Sequence, residues 1–154
     1  MTARIGGGLS ALLLLSTLSA AAAGELVATA EDGTEIARLP VPEGAGWCVL
    51  WNHSVQGFPV ADCYENRGGH MVLVRSRQPD FAAGLGHIPG RGRQVSDGEG
   101  GYWILDIDEL VPGDSYVLRP GAGHVDHRLQ VGDTVVSLSA VAARQRVRIE
   151  LTGD

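Results

Sequence analysis

Lysine is absent from this chain of 154 residues, and all 12 of its basic residues are arginine. This absence excludes chemistry that needs a lysine amine, such as Schiff-base formation. The arginines are outnumbered by 18 aspartates and glutamates, which gives a formal net charge of −6 at pH 7. Because nucleic acids and anionic membranes attract basic surfaces, we expect neither of them as a partner.

The sequence motifs of common catalytic and metal sites are also missing. The chain has no G-x-S-x-G nucleophile motif, no HExxH and no paired CxxC. The glycines of residues 84–90 lack the spacing and the GK[ST] ending of a phosphate loop. The five histidines could meet at a metal only through long-range convergence. We therefore predict no metal site and no cofactor.

The N-terminus has the pattern of an export signal. Arg4 precedes an apolar run over residues 9–18, and Ala21 and Ala23 are the small residues that a signal peptidase prefers. The alternative is a retained anchor, but the run is shorter than the ~20 residues of a spanning helix. We expect cleavage after Ala23, a single domain over residues 24–154, a periplasmic or otherwise extracytoplasmic location, and no stable membrane insertion afterwards.

Strand patterns dominate the remainder of the chain, and amphipathic helical periodicity is hard to find. Polar and apolar residues alternate over residues 144–151, and Asp32-Gly33 and Gly132-Asp133 each separate two alternating runs. The pattern predicts an all-β domain of about nine short strands, arranged as an antiparallel sandwich or barrel. Residues 78–101 are rich in glycine and poor in strand pattern, which predicts one long loop.

The stretch from residue 47 to residue 64 contains both cysteines and two of the three tryptophans. On its first strand, alternation places Trp51 and His53 on one face and Cys48 and Ser54 on the other. His53 and Ser54 therefore point in opposite directions and cannot act as a base and its nucleophile.

Two hairpin registers compete in this stretch. One places Cys48 opposite Cys63, close enough for a disulfide, and the other places His53 opposite Asp62, close enough for a hydrogen bond. They differ by four residues, so a regular hairpin satisfies only one of them. The Gly57 turn favours a register at or near the His53–Asp62 pairing, whereas export favours the disulfide, because two cysteines in an exported chain usually pair. Two buried, inert thiols are the alternative to the disulfide.

A family resemblance rests on the order of several short motifs along nearly the whole predicted mature chain. The chain resembles the small bacterial exported proteins grouped as domain of unknown function 1850. The motifs, in order, are His53-Ser54-Val55, Pro59-Val60, the acid Asp62, the aromatic Tyr64, a strand through Leu73, Phe81 before a Gly-x-Gly-x-x-Pro loop at residues 84–89, Gly-Gly-Tyr-Trp at residues 100–103, and His127-Arg128-Leu129.

The resemblance implies no established activity. Family members are often encoded beside tripartite transporters of the TAXI type, which implies an accessory or ligand-handling role, with periplasmic transporter components or a small molecule as partner. We therefore expect a non-enzymatic binding domain. The rival hypotheses are a small hydrolase that uses His53 with Asp62, and a purely structural envelope protein. The predicted ligand face comprises Trp51, His53, Asp62, Tyr64 and His127, and the predicted loop rim comprises Phe81, Gly84, Gly86 and Arg91.

Overall fold

The computed structural model describes residues 24–79 and 90–153. The predicted export signal and the predicted rim residues Phe81, Gly84 and Gly86 lie outside the described residues. Nearly all regular structure in the described ranges is strand. The elements are β1 (Glu25–Ala30), β2 (Glu35–Pro40), β3 (Gly46–Asn52), β4 (Pro59–Arg67), β5 (His70–Pro79), β6 (Arg93–Ser96), β7 (Gly101–Leu105), β8 (Glu109–Leu110), β9 (Ser115–Leu118), β10 (Arg128–Val131), β11 (Thr134–Ser137), α1 (Leu138–Ala142) and β12 (Val147–Thr152).

The strands form two antiparallel sheets. The smaller sheet has the order β2-β1-β12-β9, and the larger has the order β11-β10-β3-β4-β5-β7-β6, with β8 paired to β5. Each order ends in two edge strands, so within the described ranges neither sheet closes on itself. The all-β prediction is confirmed, and of its two forms the structure matches the sandwich.

The main core lies between the sheets and follows from alternation along the strands. On β12, Val147, Ile149 and Leu151 are buried while the intervening Arg148 is exposed. From the larger sheet, β3 contributes Trp47, which is 2% exposed and packs in the same apolar cluster. Burial of one face from each sheet is the main source of stability for such a sandwich.

The β3–β4 pair adopts the register of the disulfide. Cys48 lies directly opposite Cys63 and is bonded to it, with the two Cα atoms 4.0 Å apart. The predicted Cys48–Cys63 disulfide is confirmed, whereas the register at or near the His53–Asp62 pairing, which the Gly57 turn favoured, does not form. The strands are joined by a six-residue loop in which the His53 N–H donates to the Phe58 carbonyl and the Gly57 N–H donates to the His53 carbonyl. These loop hydrogen bonds replace the tight turn that Gly57 suggested.

The predicted long loop contains more strand than its sequence indicates. β5 continues to Pro79, and β6 forms within the glycine-rich segment by pairing with β7. All four residues of β6 are exposed, so its sequence carries no burial alternation that could predict it. The short helix α1 directly follows β11 and is capped by the Ser137 side chain. No helix in the described ranges is long and apolar enough to cross a membrane.

Replacing both cysteines in a Cys48→Ala/Cys63→Ala variant should lower the free energy of unfolding by about 3 kcal/mol. The bridge closes a chain separation of 15 residues, and a loop of that size costs about this much entropy to close from the unfolded chain. Urea unfolding with and without dithiothreitol measures the effect. The reductant should weaken the wild-type protein and leave the variant unchanged, and equal midpoints for all samples would contradict the account.

Candidate functional site

A cavity of about 250 Å³ lies between the two sheets. Its walls come from β3 and β4 of the larger sheet, from the edge strand β9 of the smaller sheet, and from the segment before β10. The register brings one face of β3 and β4 together here, because Val49 is paired with Asp62. The lining residues are Val49, Trp51, Asp62, Tyr64, Tyr116, Leu118 and His127.

Asp62 is a half-buried carboxylate in this otherwise aromatic and aliphatic wall. The hydroxyl of Ser76, on the neighbouring strand β5, donates to Asp62 Oδ1 at 2.6 Å, and Gln78 Nε2 donates in turn to Ser76 Oγ. Burial raises the pKa of Asp62, while the Ser76 hydrogen bond and the charge of Arg91 partly oppose that shift. The carboxylate is therefore held in position at a site that disfavours its charge.

Arg91 lies close enough to Asp62 for their charges to interact, but Arg91 forms an ion pair with Glu109. Its guanidinium donates to both carboxylate oxygens of Glu109, at 2.7 and 3.0 Å. The chain beside it is fixed by Gly92, whose φ is +64° and whose missing Cβ would lie 2.4 Å from the Leu105 carbonyl oxygen. Only glycine fits there, so the backbone conformation next to Arg91 is fixed.

Two ring stacks form the aromatic part of the wall. Tyr64 lies between Trp47 and Tyr116, with ring centroids 5.5 and 5.3 Å away and planes inclined by 16° in each case. Trp51 stacks on His127 at 5.6 Å, with nearly parallel planes. Burial raises the pKa of both the Tyr64 and Tyr116 phenols, so both rings stay neutral at physiological pH.

Two polar atoms in the first stack are buried without a hydrogen bond. They are the Trp47 indole nitrogen and the Tyr116 hydroxyl oxygen. The two groups lie close to each other, although their geometry falls short of a hydrogen bond. The Tyr64 hydroxyl also lies close to the Tyr116 hydroxyl, so the polar atoms of this stack are grouped together.

His127 enters the cavity with a defined tautomer. The backbone N–H of Gly121 donates to His127 Nδ1 at 3.0 Å, so the neutral ring carries its proton on Nε2. Burial lowers the pKa of His127, and the nearby charge of Asp126 only partly offsets this. The imidazole is therefore neutral at pH 7 and presents one N–H donor.

Comparison with protein families places residues 48–138 in the family described as a domain of unknown function, DUF1850. The match covers more than half of the chain. The chain belongs to this family, as the motif order predicts. Among curated proteins and among solved structures, the comparisons found no match. Every residue that lines the cavity falls within the matched segment, whereas β1, β2 and β12 lie outside it.

Four of the five residues predicted to form a ligand face line this cavity: Trp51, Asp62, Tyr64 and His127. Of the predicted rim, Arg91 lies beside the cavity. That these residues bind a ligand remains a prediction. In the part of the chain that the structure describes, no group of three His, Cys, Asp or Glu side chains is placed to hold a metal ion.

His53 does not join this group, contrary to the prediction. The observed register leaves it four positions beyond the partner of Asp62, or about 13 Å along the strand. Its Nδ1 instead accepts hydrogen bonds from the backbone N–H groups of Val55 and Gln56, within the β3–β4 loop. His53 therefore shapes the loop, and the predicted hydrogen bond with Asp62 does not form.

The wall contributed by β9 was not predicted from the sequence. Tyr116 and Leu118 lie two residues apart, as one face of a strand requires. Alternation shows that they share a face, but it cannot show which part of the opposite sheet they meet. Ser76 was missed for a related reason, since its pairing with Asp62 across β4 and β5 depends on a register shift between Cys63 and Tyr64.

Replacing His127 with phenylalanine should lower the free energy of unfolding by about 1–3 kcal/mol at pH 7. Phenylalanine can stack on Trp51 but leaves the Gly121 N–H without its acceptor. The penalty should shrink at pH 5. The pKa of His127 is lower in the folded state, so the wild-type protein loses stability as the pH falls below the ordinary histidine value of 6.5. The variant has no such loss.

Urea unfolding at both pH values measures this difference. His124→Phe is the matched control, because His124 is an exposed neighbour that lines no part of the cavity, and its effect should be near zero at both pH values. A His127→Phe penalty that stays constant or grows at pH 5 would contradict the assigned neutral state.

Proposed function

We propose that this protein is an extracytoplasmic binding domain that holds a small molecule in the cavity between its sheets. The observation that carries the proposal is Asp62, a carboxylate placed in an aromatic wall where it reduces stability. A buried ionisable group in a cavity with few polar groups is typical of a ligand site. The export pattern at the N-terminus and the Cys48–Cys63 disulfide support an extracytoplasmic location.

The proposal extends to a role beside a tripartite solute transporter of the TAXI type. This part rests on the family resemblance alone. A domain that holds a small molecule fits an accessory role in presenting or sensing a transported compound. The chain would then carry out no chemical step of its own.

The rival hydrolase hypothesis requires His53 beside Asp62, and this geometry separates the two residues. His53 serves its own loop, and Ser76, the hydroxyl nearest to Asp62, is 1% exposed and donates its proton to that carboxylate. A purely structural role would favour one exposed apolar patch. Within the described ranges, the large exposed hydrophobic residues instead lie on separate elements: Val55, Val95, Leu110, Val117, Val135 and Val141.

A larger depression of about 590 Å³ lies on the outer face of the larger sheet, beside the disulfide. It is shallow, and its charged residues include Glu65, Arg75 and Asp106. Arg75 is exposed and lies over the Trp103 ring. This depression does not include Asp62, the carboxylate on which the proposal rests, so the cavity between the sheets is the better candidate.

Filling the cavity should abolish ligand binding. A thermal-shift screen of compact amines, alcohols and carboxylates should find compounds that raise the Tm of the wild-type protein but not of Leu118→Trp. A ligand at 100 times its Kd stabilises by about 2.7 kcal/mol, or on the order of 10 °C in a domain of this size. Val117→Trp is the matched control, because Val117 is the outward neighbour on β9 and should respond like the wild type.

An equal response from both tryptophan variants would place binding elsewhere and overturn the proposed site. If Leu118→Trp does not fold, Val49→Phe fills the cavity from the opposite wall. Affinity purification from native envelope extract tests the transporter role separately. Recovery of transporter subunits with the wild-type protein would support it, and their absence, with the protein folded and ligand-competent, would exclude a stable complex.

A further inference from the structure

The charge balance of the cavity is incomplete. Among the described lining residues, Asp62 is the one carboxylic acid and there is no arginine, while His127 is neutral at pH 7 and the tyrosines are not ionised. Among the described residues, Asp62 has one side-chain hydrogen bond, from Ser76, and no arginine within ion-pair distance. Arg91 lies nearby but is committed to Glu109, so that pair adds no net charge.

We propose that the cavity binds a compact organic cation, an amine in its ammonium form, with Asp62 as its counter-ion. The inference rests on the proposed function, since it names the ligand of the same cavity. A carboxylate held in a partly dry site is strongly stabilised by a charged hydrogen-bond donor. An ammonium group supplies that donor and cancels the uncompensated charge.

The aromatic and aliphatic walls of the cavity suit the part of such a ligand that lies beyond its ammonium group. Both faces of the Tyr64 ring are covered by Trp47 and Tyr116, so Tyr64 offers its edge and hydroxyl. Trp51 stacks on His127, and both rings line the cavity. Tryptophan is the best aromatic partner for a cation, and such a contact contributes about 0.5–2 kcal/mol. Val49 and Leu118 provide apolar surface for a short alkyl group.

Size and charge narrow the ligand class further. A volume of about 250 Å³ lies below the roughly 300–1,000 Å³ of typical small-molecule pockets, which favours a small amine. An anion would face Asp62 directly and be repelled. A neutral alcohol could hydrogen-bond but would leave the carboxylate uncompensated.

The test compares three probes of the same shape and different charge: n-butylammonium, 1-butanol and butyrate. Each is titrated into the purified protein while the indole N–H signal of Trp51 is followed by NMR. We expect n-butylammonium to bind about tenfold more tightly than 1-butanol, and butyrate not to bind. Asp62→Asn should remove that advantage and leave the 1-butanol affinity unchanged. Asp108→Asn removes an exposed acid outside the cavity and should change neither affinity.

A second variant should change the affinity for n-butylammonium in the opposite direction. Arg91→Gln removes a positive charge beside Asp62, so it should tighten n-butylammonium binding by about two- to threefold at low salt. Glu109 is about half exposed and can be solvated without its partner. This variant tests the electrostatic argument even if Asp62→Asn fails to fold.

The outcomes separate this inference from the proposed function. If 1-butanol or butyrate shifts the Trp51 signal at least as effectively as n-butylammonium, the cavity is a ligand site but the cation assignment is overturned. Unchanged n-butylammonium affinity in Asp62→Asn would overturn it as well. If none of the three probes shifts the signal at saturating concentration, both the inference and the proposed cavity site fail.

Discussion

The register of the β3–β4 pair is the constraint on which the site depends. With Cys48 opposite Cys63, Trp47 is paired with Tyr64 and Val49 with Asp62. Because side chains alternate across a strand, this places Asp62 and Tyr64 on the face that meets the second sheet. The disulfide itself lies on the other face, beside the outer depression. The disulfide is thus not part of the cavity, but the register that it fixes determines which side chains line the cavity.

Asp62 lies where several local requirements conflict. Burial disfavours its charge, yet Ser76 and Gln78 orient it, and Arg91 lies nearby in an ion pair with Glu109. A closer arginine would complete a buried ion pair and remove the imbalance. Proteins commonly keep such unfavourable arrangements at functional sites, where a ligand supplies the missing interaction.

Alternation in the sequence was enough to predict an all-β sandwich or barrel, and it placed Asp62 and Tyr64 on one face of their strand. It could not decide the register, because the Gly57 turn and the two cysteines favoured different pairings. The disulfide register prevailed with a six-residue loop, since hydrogen bonds of His53 and Gly57 satisfy the backbone there. This choice removed His53 from the site.

The half of the site that was not predicted from the sequence depends on contacts between the two sheets. Tyr116 and Leu118 reach the cavity because β9 is an edge strand of the smaller sheet, paired with β12. Neither the strand order nor the packing of one sheet on the other can be read from periodicity. β6 was missed for a simpler reason: all four of its residues are exposed, and its pairing with β7 alone defines it.

The pKa of the Asp62 carboxyl group in the ligand-free protein tests the central claim most directly. The two registers predict shifts of the Asp62 pKa in opposite directions. In the observed register burial dominates, so the pKa should lie above the ordinary value of 3.8. In the alternative register, pairing with His53 would lower it. Carbon-detected NMR titration of the Asp62 side chain, assigned by comparison with Asp62→Asn, measures this value. A pKa at or below the ordinary value would contradict the account.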